Sequence, residues 1–129
     1  MAKVSVIVPT HNRADYLSAA IESVLEQTFQ DFELLVVDDA STDTTAALVS
    51  SFSDSRIKFI RLDMNRGGSA ARNQGILSSR CDYIAFLDDD DAWTPEKLEL
   101  QVELLDRAPA EVGAVYTGYT MVDTEDDQF

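Results

Sequence analysis

The chain has 129 residues, 45% of them hydrophobic, which is enough for one core in a single domain spanning residues 1–129. Lys and Arg number 10 against 24 Asp and Glu, a net charge of −14. That balance excludes a nucleic-acid-binding surface, which needs a basic footprint, and docking on anionic lipid through a basic patch.

An acidic chain that must hold an anionic ligand needs a divalent cation, or local Arg and backbone N–H donors. Cys81 is the single cysteine, so no intramolecular disulfide can form; this suits a reducing, cytoplasmic setting. No apolar run approaches the roughly 20 residues of a membrane span. Met1-Ala2-Lys3 leads directly into a strand-like run, without the apolar stretch and cleavage site of a signal peptide. No membrane segment is therefore expected in this chain, and membrane association of a longer parent protein stays open.

In chain order, Val4 to Val8 is a short β-branched run closed by Pro9 and reads as a buried strand. A helical pattern follows from about Arg13 to Gln27, with Leu17, Ala20, Ile21, Val24 and Leu25 on one face. Phe32 to Val37 is a second buried strand, stopped by Asp38-Asp39. Ser41-Thr42-Asp43 offers N-caps for a helix over Thr44 to Ser51. Ile57 to Leu62 is a third strand, Asn65-Arg66-Gly67-Gly68 a turn, and Ser69 to Leu77 a helix. Tyr83 to Leu87 is a fourth strand, ended by four aspartates. Thr94-Pro95-Glu96 opens a helix running to about Arg107, with Thr94 as N-cap. Val112 to Tyr119 reads as a last strand, and Asp123 to Phe129 as a polar, frayed tail. Strands and helices alternate, and the strands are continuous apolar runs. Together these predict an α/β fold with a mainly parallel sheet covered by helices on both faces.

In open α/β sheets ligands bind at the carboxyl ends of the strands. Four segments converge there: Pro9-Thr10-His11-Asn12-Arg13, Asp38-Asp39-Ala40-Ser41-Thr42-Asp43, Asn65-Arg66-Gly67-Gly68 and Asp88-Asp89-Asp90-Asp91. Four like charges in a row repel one another, and a hard divalent cation with oxygen ligands relieves that. Mg²⁺ or Mn²⁺ would take one or two of these carboxylates and complete its shell with phosphate and water. The bland alternative is a solvated acidic loop capping the next helix. Asp38 and Asp39 suit a ribose or base edge, with simple capping by Ser41 and Asp43 as the alternative. Gly67 and Gly68 let backbone approach a ligand, with the next helix N-terminus facing a diphosphate. An ordinary tight turn explains them equally. Arg72 offers a charged donor one turn into that helix, with a surface salt bridge as the alternative. His11 is as well explained by loop polarity, Cys81 by packing, and Trp93 by packing under the acidic loop.

V-S-V-I-V-P-T-H-N-R, L-L-V-V-D-D-A-S-T-D-T-T, N-R-G-G-S-A-A-R-N-Q-G and Y-I-A-F-L-D-D-D-D-A-W-T-P-E-K-L together resemble an inverting family 2 glycosyltransferase. The four motifs stand in the family's order and span nearly the whole chain. The resemblance implies a GT-A fold, Rossmann-like, with a nucleotide-diphospho-sugar donor, UDP-linked by preference. It implies that Pro9, Thr10, His11, Asn12 and Arg13 line the nucleobase pocket. Asp39 would bond the base with Asp38 beside it, and Arg72 would stand behind Gly67 and Gly68 near the base or diphosphate. Asp88 and Asp89 would face ribose and sugar, and Asp90 would hold the metal, with a register open by one position. Family members continue into an acceptor-binding half that carries the general base. The base is therefore expected outside this chain, and Asp123, Glu125, Asp126 and Asp127 are not assigned to it. The implied partners are a nucleotide-sugar donor and a glycan, lipid or other hydroxyl acceptor. Self-association through an exposed sheet edge is a further expectation.

Two rivals stand beside this reading. A non-catalytic nucleotide-binding module would share the donor site. A phospho-acceptor receiver domain would need a phosphorylatable Asp after the third strand and a Lys after the fifth; the third strand ends in Leu62-Asp63-Met64-Asn65, and no Lys follows the last strand. A dinucleotide-binding domain fits poorly because no G-x-G-x-x-G follows the first strand.

Overall fold

The computed structural model describes residues 2–122. Eight elements alternate: β1 (Val4–Thr10), α1 (Ala14–Leu25), β2 (Phe32–Asp38), α2 (Thr45–Ser51), β3 (Ile57–Arg61), α3 (Gly68–Ser78), β4 (Tyr83–Phe86) and α4 (Lys97–Arg107). The strands form one parallel sheet in the order β3-β2-β1-β4. Val4 pairs with Phe32 on one side and Tyr83 on the other. Every residue of β1 and β2 is buried, which is why these runs are apolar without alternation. The edge strands β3 and β4 are only partly covered.

The period of two splits the central strands between two cores. Val4, Val6, Val8, Leu34 and Val36 meet Leu17, Ala20, Ile21 and Val24 of α1, Val49 of α2, and Leu98 and Val102 of α4. Ile7, Leu35 and Val37 turn the other way, onto Ala71 of α3. Helices thus cover both faces, as the sequence predicts. Helix α3 sits very close to the sheet. A Cβ on Gly75 would lie 2.5 Å from Cγ2 of Ile7, so only glycine fits that contact.

Three expectations need correction. The Val112–Tyr119 strand does not form among the described residues: the segment carries no ladder, and Tyr116 and Tyr119 are 95% and 88% exposed. An apolar run becomes a strand only where its N–H and C=O groups find a partner, and this one pairs with neither of the free edges, those of β3 and β4. Helix α4 begins at Lys97, after a turn at Pro95-Glu96, and Thr94 makes no side-chain cap. Instead the buried Gln27 reaches across from the end of α1. Its Oε1 accepts from the Leu98 N–H at 2.9 Å, and its Nε2 donates to Thr94 O at 2.8 Å. Ser41 does not cap α2; its Oγ accepts from the Asn12 N–H at 2.8 Å. The Asp123–Phe129 tail lies outside the described residues.

Candidate functional site at the carboxyl edge of the sheet

The loops after β1, β2, β3 and β4 meet above the strand ends and enclose a cleft of about 450 Å³. Its lining includes Pro9, Thr10, His11 and Arg13 from the first loop and Asp39 from the second. Gly68, Ala71 and Arg72 come from the first turns of α3, and Asp88, Asp89 and Asp90 from the acidic run. Ten of the thirteen sequence-predicted residues therefore share one cavity. Asn12, Asp38 and Gly67 do not line it; they build its walls from behind.

The β1–α1 loop is tied to the next loop by side chains. Asn12 takes φ +51°, a left-handed conformation that asparagine tolerates. From there its Oδ1 accepts from the Thr42 N–H at 2.7 Å and the Asp43 N–H at 3.2 Å. Asp43 returns the contact, its Oδ2 accepting from the Ala14 N–H at the start of α1, 3.2 Å away. His11 Nδ1 donates to Asp39 O at 2.7 Å while Nε2 accepts from Asn65 Nδ2 at 3.0 Å. This network assigns the ring proton to Nδ1.

Asp38 is fully buried, accepts from the Ser41 N–H at 2.9 Å, and lies beneath the cleft. Its Oδ2 has Arg61 Nη1 at 3.3 Å, but without hydrogen-bond alignment; the attraction there is ionic only. Asp39 is also buried, and both its oxygens are engaged. Oδ1 accepts from the Arg66 N–H at 2.8 Å and Oδ2 from the Gly67 N–H at 2.7 Å. Asp39 thus holds the β3–α3 loop in place. Gly67, at φ +90°, turns that loop into α3, a conformation costly for any residue with a Cβ. Gly68 opens the helix, and a Cβ there would stand 3.2 Å from Arg72 Nη1, so its absence gives the guanidinium room over the helix start.

The acidic run continues the alternation of β4. Leu87 is buried and its N–H donates to Ile7 O at 3.1 Å; Asp88 faces out, Asp89 in, and Asp90 out. Asp89 is 6% exposed, accepting from Thr10 Oγ1 at 2.8 Å and from Arg13 Nη1 at 3.3 Å. A turn, with the Asp91 N–H donating to Asp88 O at 3.2 Å, folds the run back. Carboxylate oxygens of Asp88, Asp90 and Asp91 then lie within 4.8 Å of one another. Two arginines flank this group. Arg13 Nη1 reaches Asp90 Oδ2 at 2.8 Å, and Arg72 Nη2 reaches Asp88 Oδ1 at 2.5 Å. The side chains are about half exposed, so each ion pair is worth about 0–1 kcal/mol. The carboxylates of Asp89 and then Asp90 push the Arg13 guanidinium up in pKa. Partial burial, then the charges of Asp90, Asp88 and Asp89, push the Asp91 carboxyl up. Oxygen ligands alone, close-set and crowded with negative charge, fit a hard divalent cation such as Mg²⁺ or Mn²⁺.

The segment after the run is clamped by the Gln27 bridge and by Trp93, which packs on the larger core with the Lys97 ammonium 3.9 Å above its ring. Sequence reasoning missed Gln27, Ala71 and Gly75. Gln27 gave no signal, because its partners are backbone atoms 67 and 71 positions away. Ala71 and Gly75 were visible as small residues at helical spacing behind Gly68, which marks the close face of a helix. Asp91 was among the four aspartates read as candidates for the metal, and its carboxylate lies with those of Asp88 and Asp90.

A family model described as "Glycosyl transferase family 2" matches residues 5–127. The chain belongs to that family. Among its relatives is an Escherichia coli protein named UDP-Glc:alpha-D-GlcNAc-diphosphoundecaprenol beta-1,3-glucosyltransferase WfgD. It is 45% identical over 102 residues, covering 79% of this chain and 40% of WfgD. Of the solved structures, S. aureus TarS 1-349 in complex with UDP superposes with a TM-score of 0.76 at 34% identity, covering 81% of this chain and 32% of that one. The mannosyltransferase PcManGT from Pyrobaculum calidifontis, in complex with GDP-Man and Mn²⁺, superposes with a TM-score of 0.78 at 29% identity, covering 86% of this chain and 34% of that one. The fold is GT-A, as the motifs imply. The family 2 chain described here spans about a third to two fifths of the length of these proteins. No helix among its described residues is long and apolar enough to cross a membrane.

Proposed function

We propose that this family 2 chain forms the donor site of an inverting, metal-dependent glycosyltransferase that takes a UDP-sugar and delivers the sugar to an acceptor hydroxyl. The observation that carries the reading is the convergence, at one sheet edge, of outward carboxylates, two arginines and the glycine-opened N-terminus of α3. WfgD's name specifies UDP-Glc, and the TarS and PcManGT structures hold UDP and GDP-Man with Mn²⁺. A cytoplasmic setting goes with the unpaired Cys81.

In this reading Pro9, Thr10 and His11 form the wall for the base, with Asn12 fixing the loop behind them. Asp38 acts at one remove, by shaping the turn that presents Asp39. Gly67 turns the chain into α3, and the backbone amide at Gly68 and the Arg72 guanidinium are the donors for diphosphate oxygens. Asp89 is the internal anchor of the acidic run, and Asp88, Asp90 and Asp91 are the carboxylates for the metal. A divalent cation bound there neutralises charge on the departing diphosphate. The acceptor oxygen forms its bond to the anomeric carbon from the face opposite the diphosphate. The C–O bond to phosphate breaks, and its electron pair leaves with the nucleotide. Arg72 and the α3 N–H groups stabilise the charge that builds there. The acceptor's proton passes to a general base, which we assign to the part of the family's length that this chain does not span.

Calorimetric titration of UDP with Mn²⁺ and then with EDTA, beside Asp90→Asn, tests the site. EDTA and the substitution should each weaken UDP binding at least tenfold, about 1.4 kcal/mol. If UDP, GDP and dTDP all fail to bind, or bind equally well in EDTA, the proposal is wrong.

A further inference from the structure

The chain has 10 basic side chains against 24 acidic ones, and two of those ten, Arg13 and Arg72, are directed into the cleft. Neither is free. Arg13 holds Asp90 and Asp89, and Arg72 holds Asp88. The carboxylates these arginines cover include two of the three that could share a cation, Asp88 and Asp90. The two guanidiniums come from opposite walls, Arg13 from the loop before α1 and Arg72 from the first turns of α3, and the acidic run lies between them. They occupy the carboxylates as internal counter-ions.

We infer that Arg13 and Arg72 are place-holders whose release couples the two ligands of this site: a divalent cation takes Asp88 and Asp90 only as a diphosphate takes the arginines. The inference rests on the donor-site reading above and adds how that site is regulated. A cation arriving alone must displace two guanidiniums and leave them beside it with no new partner. A diphosphate arriving alone finds the arginines occupied and four aspartates nearby. Arriving together, the two exchange partners with the protein: carboxylates go to the metal, guanidiniums to phosphate oxygens, and no charge is left bare. The exchange is feasible because both outward pairs are half exposed and weakly held, at 51% and 48% side-chain exposure for Arg13–Asp90 and 38% and 53% for Arg72–Asp88. Asp89, with 8% side-chain exposure and a hydrogen bond from Thr10, stays in place and keeps the run aimed. The coupling is reciprocal: whatever factor the nucleotide adds to cation affinity, the cation adds to nucleotide affinity.

The test measures Mn²⁺ binding to the 129-residue chain by the paramagnetic resonance of free Mn²⁺, without nucleotide and with saturating UDP. The variants are Arg72→Gln, Arg13→Gln, Arg72→Lys and, as a remote control with the same charge change as the Gln variants, Arg107→Gln. Arg107 pairs with Glu103 on the exposed side of α4. Without nucleotide, Arg72→Gln and Arg13→Gln should bind Mn²⁺ about five- to tenfold more tightly than the native chain, since a cation beside the site is removed. The tightening produced by UDP should shrink by a similar factor in Arg72→Gln and be largely restored in Arg72→Lys. Arg107→Gln should change neither number, and urea midpoints of all variants should stay near the native one. Unchanged or weaker Mn²⁺ affinity in both Gln variants, with native coupling to UDP, overturns the inference while leaving the donor site standing. If no variant and no native chain binds Mn²⁺ even with UDP present, the donor-site reading falls and takes the inference with it.

Discussion

Substituting Gly75 by alanine sets two opposed effects against each other. In an exposed helix the change would stabilise by about 1 kcal/mol, because alanine is the better helix former. Here the added Cβ meets Ile7 Cγ2 at 2.5 Å, Cδ1 at 3.0 Å and Cγ1 at 3.1 Å. Ile7 is fully buried in the centre of the sheet, between Leu35 of β2 and Phe86 of β4 in register, and it has no space to yield into. Overpacking of this kind costs about 1–3 kcal/mol, so Gly75→Ala should lose about 1 kcal/mol net. For a chain of this size that lowers the melting temperature by about 3–5 °C. Helix α3 would also lift off the sheet, carrying Gly68 and Arg72 away from the cleft, so UDP binding should weaken alongside. A urea titration of the single variants and of Gly75→Ala combined with Ile7→Ala closes the cycle. The double variant should be more stable than the sum of the single losses predicts, since Ile7→Ala creates the room that the methyl group added at position 75 fills. An alanine variant as stable as the native chain, or strictly additive losses, would refute the claim that glycine is required by contact with Ile7.

Two further outcomes follow from the loops. Asn12→Gly keeps the left-handed backbone comfortable and removes the side-chain contacts alone, those of Oδ1 with Thr42 and Asp43 and of Nδ2 with His11 Nε2; Asn12→Ala adds the backbone cost. Urea midpoints should therefore fall from the native chain to Asn12→Gly to Asn12→Ala, with about 1 kcal/mol lost at the first step; equal midpoints would show that the loop cross-tie carries no weight. Hydrogen bonds from the Arg56 side chain, then its backbone N–H, draw the Asp54 carboxyl down to about 2. Its folded value lies below the unfolded one, so the contribution is complete above about pH 4 and is lost as pH falls towards about 2. With a side chain one quarter exposed, the contribution is about 1 kcal/mol after screening. Asp54→Asn should lower stability at about pH 7 and flatten its decline between about pH 4 and pH 2, and a parallel decline in both proteins would remove the assignment.

The alternation of strands and helices was legible because β1 and β2 are buried on both faces, so their runs carry no polar interruption beyond Ser5 and Glu33. The sheet-edge location of the cleft followed from that architecture. What sequence could not supply was the direction of each side chain. Asp38 and Asp39 are adjacent and chemically alike, yet one lies beneath the cleft with Ser41 and Arg61 while the other lines it. The four aspartates sorted themselves only when the pleat of β4 carried past Phe86 and turned Asp89 inward. Val112 to Tyr119 misled because β-propensity describes a surface fit for pairing, not the pairing itself, and this run takes up neither edge that β3 and β4 leave free. Gln27 stayed hidden because its role is to satisfy backbone atoms far along the chain.

The order β3-β2-β1-β4 also governs how the molecule assembles in time. Parallel neighbours cannot be joined by a hairpin, so every pairing requires a helical crossover. The strand made first, β1, is central, and its second partner is the last of the four to be made: Val4 waits for Tyr83, 83 − 4 = 79 positions later. During synthesis β1 and β2 can zip together early, but one flank of β1 stays open until α3 and β4 have emerged. Non-local pairings of this kind slow folding and expose unpaired edges to other chains. The acidic character of the chain then acts before any ligand is met. At a net charge of −14, copies still folding repel one another through the interval in which that flank is bare.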